Sequence, residues 1–311
     1  MIKPASYRLL SLICLLVPLL SNAGDARSPL RLHHVTANVY AIIGPLTNRT
    51  KENLGNNASF GFVVTDAGVV LIDSGGTYQG AQAIHQAIQS VTDKPIRLVI
   101  NTGGQDHRWL GNSYFKKQGA RIIASAEAVA DQKARVQDQL IMLGVLVGDE
   151  VLKGTSDVYA DELIQNQKAF SFGGTRFEVR RGHAHTPGEM LVWLPQSKVM
   201  FTGDTVYVER MLGVIDVSSS TKWIQSFETM AGYKPHYIVP GHGDVTTLER
   251  ARKDTYDYLV FLRDTVRKYV ELGGTEGGVG RLDQSQFSYL KNYELLKGRN
   301  AQRVFQELEW E

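Results

Sequence analysis

The sequence predicts an α/β fold built from stacked layers of strands and helices. Two observations carry that expectation. Short apolar runs of strand length alternate with stretches of helical period in both halves of the chain, as in layered α/β domains. The 311 residues, 43% apolar and 21% charged, have an ordinary globular composition, and no linker or short-period repeat divides them.

The N-terminus stands apart from that domain. Lys3 and Arg8 precede an apolar run from Leu9 to Leu20, and Ser21-Asn22-Ala23 place small residues before a cut after Ala23. This is the pattern of a secretory signal peptide over residues 1–23. The run is too short for a membrane span, which needs about 20 residues. The expected location is the periplasm or outside the cell, with no membrane attachment after cleavage. Cys14, the single cysteine, lies in the leader, so the mature chain would hold no disulfide and no thiolate ligand. Any metal would fall to His, Asp or Glu. The 34 basic residues include Lys3 and Arg8, so loss of the leader leaves basic and acidic residues equal at 32. That balance argues against a nucleic-acid partner.

Leu30 to Gly44 alternates as a strand, and a polar loop follows from Thr47 to Asn57. Asn57–Gly75 reads as a hairpin turning at Asp66-Ala67-Gly68, its second strand ending at Asp73. Thr77–Val91 has helical period, with Ala81, Ile84, Ile88 and Val91 on one side. A strand at Ile96–Ile100 leads into the run Asn101-Thr-Gly-Gly-Gln-Asp-His-Arg-Trp-Leu-Gly-Asn112, and a helix is expected through Trp109 to Gln118. A strand at Arg121–Ala124 and a helix over Ala126–Leu146 come next. The run Met142–Gly148 reads as core or as pocket lining, core being the simpler assignment. Asp157–Asn166 is expected to be loop. Further strands are expected at Phe170–Phe172, Phe177–Arg181, Met190–Leu194, Lys198–Phe201 and His236–Val239, with a helix over Thr221–Ala231. Leu248 to about Leu272 reads as one helix. After a glycine-rich break, a terminal helix is expected from Asp283 to about Leu308. The main domain would thus span residues 30–272, with a C-terminal helical extension over 273–311.

Four of the eight histidines, His33, His34, His85 and His236, sit within expected strands or helices and read as structural. The others lie at strand ends beside glycine or proline: His107 in Gln-Asp-His-Arg, His183 and His185 in Gly182-His-Ala-His-Thr-Pro-Gly188, and His242 in Pro240-Gly-His-Gly243. Asp73 in Leu-Ile-Asp-Ser-Gly, Asp106, and Asp204 in Thr-Gly-Asp-Thr join them. Strand-end loops are where a rigid scaffold presents functional groups. Imidazole and carboxylate without thiolate suit zinc, and also iron or manganese.

In this order, Leu-Ile-Asp-Ser-Gly, Asp-His at a strand end, His-Thr-Pro-Gly, Thr-Gly-Asp-Thr and Pro-Gly-His-Gly resemble the metallo-β-lactamase fold superfamily, over roughly Leu30 to Arg252. The resemblance implies a four-layer αβ/βα sandwich with metal held between the sheets at one edge. It implies metal ligation by Asp106, His107, Asp204 and His242, with His185 as the remaining ligand of a first ion. Asp73 would support the site by hydrogen bonding. Where the family carries His-x-His ahead of the Asp-His pair, this chain reads Thr102-Gly-Gly-Gln105. The expectation is therefore half of a binuclear site: one zinc per chain, with two ions or iron as the alternatives. His183 is i, i+2 from His185 and is expected to support the site from outside the ligand set, or to rebuild the missing half. Catalytic roles fall on Asp106 and on His185, the latter as donor to an oxyanion or leaving group.

The run Asn101–Asn112 further resembles periplasmic members linked to sulfur oxidation and quinoprotein dehydrogenase systems. That implies a metal-dependent hydrolase acting on a small-molecule substrate, with periplasmic dehydrogenase or sulfur-oxidation components as partners. The alternatives are a non-catalytic binding protein for a cofactor or sulfur compound, and an iron-dependent oxygenase.

Overall fold

The computed structural model describes residues 29–309 and 311; the expected leader and Cys14 lie outside them. Two sheets face each other. The first has seven strands in sequential order: β1 (Arg31–Thr36), β2 (Val39–Ile43), β3 (Ser59–Thr65), β4 (Gly68–Ile72), β5 (Ile96–Ile100), β6 (Arg121–Ser125) and β7 (Glu162–Ile164). Pairing is antiparallel from β1 to β4 and parallel from β4 to β7. The second holds β8 (Gln167–Phe172), β9 (Thr175–His183), β10 (Pro187–Leu194), β11 (Val199–Phe201) and β12 (Tyr237–Val239) in the order 12-11-10-9-8. Its one parallel pair is β11 with β12.

Strand β4 shows why the layers form. All five of its residues are buried. Side chains alternate across a strand, so Val70 and Ile72 enter the core between the sheets while Val69 and Leu71 enter a second core on the outer face. The inner core also takes Leu98 and Ile100 from β5 and Phe177, Val179, Met190, Val192 and Phe201 from the second sheet. The outer face of the first sheet is covered by the helix Tyr78–Gln89, through Ala81, Ile84 and Ile88. Residues Phe227 and Met230 of the helix Ser220–Gly232 cover the second sheet against Leu191, Trp193 and Ile238. Helix, sheet, sheet and helix make the four expected layers.

The elements depart from expectation where local signals were ambiguous. The helix after β5 is split into Asp106–Trp109 and Asn112–Lys117, and a short strand, Glu162–Ile164, replaces part of the expected loop. Leu248–Glu271 is interrupted by a π turn at Arg252–Tyr256. The terminal helix starts at Tyr293, ten residues later than expected, after a 3-10 turn at Ser285–Phe287 and a left-handed Asn292. A left-handed residue cannot sit inside a right-handed helix. The run after Met142 is only half core: Leu143 and Val147 are buried, whereas Met142 is 53% exposed.

The C-terminal segment is part of the same body. Backbone bonds tie Lys291 to the segment before the second sheet's covering helix, Met211 N–H to Lys291 O at 2.9 Å and Lys291 N–H to Glu209 O at 2.9 Å. Asn300 accepts from Val214 N–H at 2.9 Å and donates to the Leu212 carbonyl at 2.8 Å. Val304 and Phe305 join Trp223, Tyr258 and Leu262 in one core.

The two sheets approach closely at Gly61 of β3, where an added Cβ would lie 2.0 Å from the Phe201 ring. Gly61→Ala is expected to lower stability by about 1–3 kcal/mol through overpacking. Urea denaturation followed by circular dichroism measures it, and an unchanged midpoint would contradict this account of the sheet spacing.

Candidate metal centre

The parallel pairs β4–β5 and β11–β12 end at the same edge, so the loops after all four strands meet there. Asp73 follows β4, Asp106 and His107 follow β5, Asp204 follows β11 and His242 follows β12. His107, Asp204 and His242 are buried, and one potential ligand atom from each lies within 4.8 Å of the others. His107 Nε2 is 3.1 Å from Asp204 Oδ2, and His242 Nε2 is 3.2 Å from Asp204 Oδ1.

The chemistry of these donors fits a divalent ion. Metal ligands must be deprotonated. Burial pushes the Asp204 carboxyl up, but the charges of Arg108 and His107 outweigh it and hold the group well below the usual carboxylate range. Burial, then the nearby Arg210 charge, pushes the His242 imidazole well below its ordinary value, so it is neutral. Its Nδ1 donates to the Asn57 carbonyl at 2.8 Å, which leaves the Nε2 lone pair facing Asp204. His107 Nδ1 lies between Arg49 Nη2 at 2.8 Å, which can only donate, and Asp106 Oδ1 at 3.1 Å. Two imidazoles, one carboxylate and room for water is the donor set of catalytic zinc sites.

The other expected residues are placed differently. Asp106 stands outside the ligand group. Its carboxylate pairs with Arg49 and accepts the His107 backbone N–H at 2.8 Å. Burial raises its pKa, but Arg49 and then His107 outweigh burial and keep it ionised. His185 also lies outside the group, on the wall of the cleft above it. Its Nδ1 must donate to the Gly213 carbonyl 2.8 Å away, so its free Nε2 is bare. Burial lowers its pKa to about 4. A neutral His185 can accept a proton at Nε2 but has none to give there, the reverse of the donor role expected. His183 is turned elsewhere: its Nε2 meets the Val217 carbonyl at 3.2 Å and its backbone N–H donates to Ser226 Oγ. Strand β9 ends at His183, so the i, i+2 register does not carry to His185.

Around Thr102 and Gly104, where the family carries its two leading histidines, the protein is closely packed. Thr102 donates through its backbone N–H and its hydroxyl to the Asp73 carboxylate at 2.6 and 2.7 Å. Asp73 has φ 66°, an unfavourable value for a residue with a side chain that this paired carboxylate offsets. Gly104 faces Asp131, whose Oδ2 would lie 2.0 Å from an added Cβ. Arg108 reaches between Asp73 and Asp204, with Nη1 3.0 Å from Asp73 Oδ2 and Nη2 2.6 Å from Asp204 Oδ1. Glu189, buried beneath, accepts from Thr186; burial, then the Asp204 charge, raises it well above the usual carboxylate range.

Sequence reasoning passed over Arg49, Arg108, Glu189 and Arg210. One signal was available: Arg108 follows the Asp-His pair where a strand end enters a buried turn, a place for a charge only when acidic partners wait there.

Gly104→His is expected to cost about 1–3 kcal/mol without adding a second metal equivalent, because Asp131 occupies the space. Denaturation together with elemental analysis checks it, and a gained ion would refute it. His185 supplies a pH test. The unfolded chain takes up a proton near 6.5 that the native chain refuses until about 4. Native stability contributed by this group is therefore present above 6.5 and lost as pH falls through that window. The loss from pH 7 to 5 is about 2 kcal/mol. His185→Asn is expected to flatten the stability–pH slope of the metal-free protein there, and an unaltered slope would refute the assignment.

Comparison with known proteins agrees with this geometry. Residues 55–242 match the Metallo-beta-lactamase superfamily. The chain is 26% identical to a type 2 metallo-beta-lactamase of Elizabethkingia meningoseptica over 188 residues, covering 59% of this chain and 68% of that one. A metallo-beta-lactamase from Pontibacter korlensis superimposes with a TM-score of 0.60 at 20% identity, covering 74% of this chain and 99% of its own. A stereoselective inverting sec-alkylsulfatase from Pseudomonas sp. superimposes with a TM-score of 0.67 at 16% identity, covering 89% of this chain but half of its own. The sequence match takes in more than half of the chain, from the loop ahead of Asp73 to His242 itself, and the chain belongs to the metallo-beta-lactamase superfamily.

Proposed function

We propose that this chain is an exported metal-dependent hydrolase that holds a single divalent ion, zinc in the first instance, on His107, Asp204 and His242. The observation that carries it is the convergence of these three buried groups, with His242 Nε2 left free by the Nδ1 bond to Asn57, at the foot of an open cleft. When bound, such an ion makes hydroxide available from water near neutral pH. The chain's own residues do the rest. Asn57 and Asp106 orient the two imidazoles. Arg108 holds Asp204 in place. His185 Nε2 is a proton acceptor on the cleft wall. Tyr207 stacks on His242 with ring centroids 4.6 Å apart, and burial keeps its phenol protonated, so it is a donor for an oxyanion. The periplasmic location rests on the leader pattern, and the link to sulfur-oxidation or quinoprotein systems on the run around Asp106.

A second reading is a binding protein without turnover, for a redox cofactor or sulfur compound. It is favoured by one observation: Arg108 engages both oxygens of Asp204, which weakens that carboxylate as a metal ligand.

Elemental analysis of the purified chain is expected to give about one zinc. His107→Ala and His242→Ala are each expected to lose the ion and to lower turnover of an ester, thioester, lactam or sulfate ester by more than about 100-fold. Iron in place of zinc would favour oxygen chemistry. A chain that takes up no metal after reloading would sink the hydrolase in favour of the binding protein.

A further inference from the structure

The cleft that opens onto His107 and His242 encloses about 870 Å³, room for a small organic molecule. Its charge is not balanced locally. Arg210 lines the deep end, with Nη1 3.2 Å from His242 Nδ1. That nitrogen already donates to the Asn57 carbonyl, so it has no lone pair to offer while Nε2 is kept for an ion. The Nε of Arg210 is closed off from solvent and has no hydrogen-bond partner, and among the described residues the guanidinium has no ion-pair partner. A guanidinium stays charged and carries five donors in a planar fork. Burying it without an acceptor is costly, and an incoming oxyanion would relieve that cost. Arg49 stands at the same end; it is paired with Asp106, but its Nε is likewise buried and unpartnered. Two other arginines of the wall are paired with their own carboxylates, Arg135 with Asp131 and Arg303 with Asp216.

Toward solvent the wall turns apolar. Met142 and Leu146 come from the helix Ala126–Val147, and Leu295 and Leu296 from the helix Tyr293–Leu308. Met142 and Leu295 are 53% and 54% exposed. The same helices also present Asp138, Arg299, Gln302 and Gln306 to the cleft, so the four apolar side chains form a strip along a mixed wall.

We propose that the cleft binds an amphiphilic oxyanion: a carboxylate or sulfate head on Arg210 beside the metal ligands, and an apolar chain along Met142, Leu146, Leu295 and Leu296. The proposal names the substrate class of the hydrolase read above and rests on that reading for the bond that is cut, but binding itself requires no turnover.

Isothermal titration of the zinc-loaded chain with hexanoate, hexyl sulfate, hexanol and inorganic sulfate tests it. Both hexyl anions are expected to bind, the tighter of the two identifying the head group. Hexanol and inorganic sulfate are expected to bind at least about tenfold more weakly. Arg210→Met is expected to weaken anion binding at least about tenfold with metal content unchanged, and Arg210→Lys, which keeps the charge and loses the fork, to fall between. Hexanol binding as tightly as the anions would overturn the proposal without any variant. Inorganic sulfate binding as tightly as hexyl sulfate would overturn the apolar half, and wild-type affinity in both Arg210 variants would overturn the head-group site. A chain that takes up no zinc sinks the hydrolase reading, while the same titrations on the metal-free chain still decide this one.

Discussion

Arg108 is fully buried, and all five of its N–H donors are used. Nε and Nη2 hold the two oxygens of Asp204; Nη1 holds Asp73 and the Ser59 carbonyl; Nη2 also holds the Gly241 carbonyl. Those partners come from β3, the end of β4, the end of β11 and the loop after β12, so one guanidinium ties both sheets together at the edge where the site lies. Taking a charge out of water costs several kcal/mol, and only full pairing offsets it. The same arithmetic makes the arrangement unforgiving. Removing Arg108 would leave the Asp204 charge buried without its main counter-charge.

That tie explains the form of the metal centre. Asp204 faces His107 and His242 on one side and Arg108 on the other. A guanidinium does part of the work of a second cation: it bonds to Asp73 and Asp204 and keeps the latter ionised. Thr102 and Gly104 then have no ligand to supply, and their surroundings have closed in, with Asp73 held by Thr102 and Asp131 packed against Gly104. Arg108 engages both oxygens of Asp204, so that carboxylate has less lone-pair density to offer a cation than a free one.

The cleft depends on parts of the chain outside the family match. The match ends at His242, yet the outer wall includes the helix Tyr293–Leu308, held by Asn300 and by the backbone bonds between Lys291 and the segment Glu209–Met211. The same short segment carries Arg210 to the deep end. Fixing the terminal helix and presenting the unpaired arginine are therefore mechanically linked, and both lie in or against a layer added outside the matched core.

Much of this was legible in the sequence. Strand and helix alternation foretold the layers, because side-chain period is a local property that follows from burial on one or two faces. The motif order placed His107, Asp204 and His242 at one edge, since each sits just past a strand whose end is fixed by its own apolar run. Orientation was not legible. Asp106 and His107 are neighbours, yet one is drawn to Arg49 and the other to Asp204; His183 and His185 part company because β9 ends between them. Arg49, Arg108 and Arg210 lie far apart in the chain and acquire meaning only through what they meet, and whether a charge is paired is decided across distances that no local pattern records. The sequence by itself determined the fold and offered five ligands, Asp106, His107, His185, Asp204 and His242; the tertiary structure brought three of them together, set one guanidinium beside them and left another without an ion-pair partner, because pairing of buried charges depends on which chain segments the fold brings within a few ångströms.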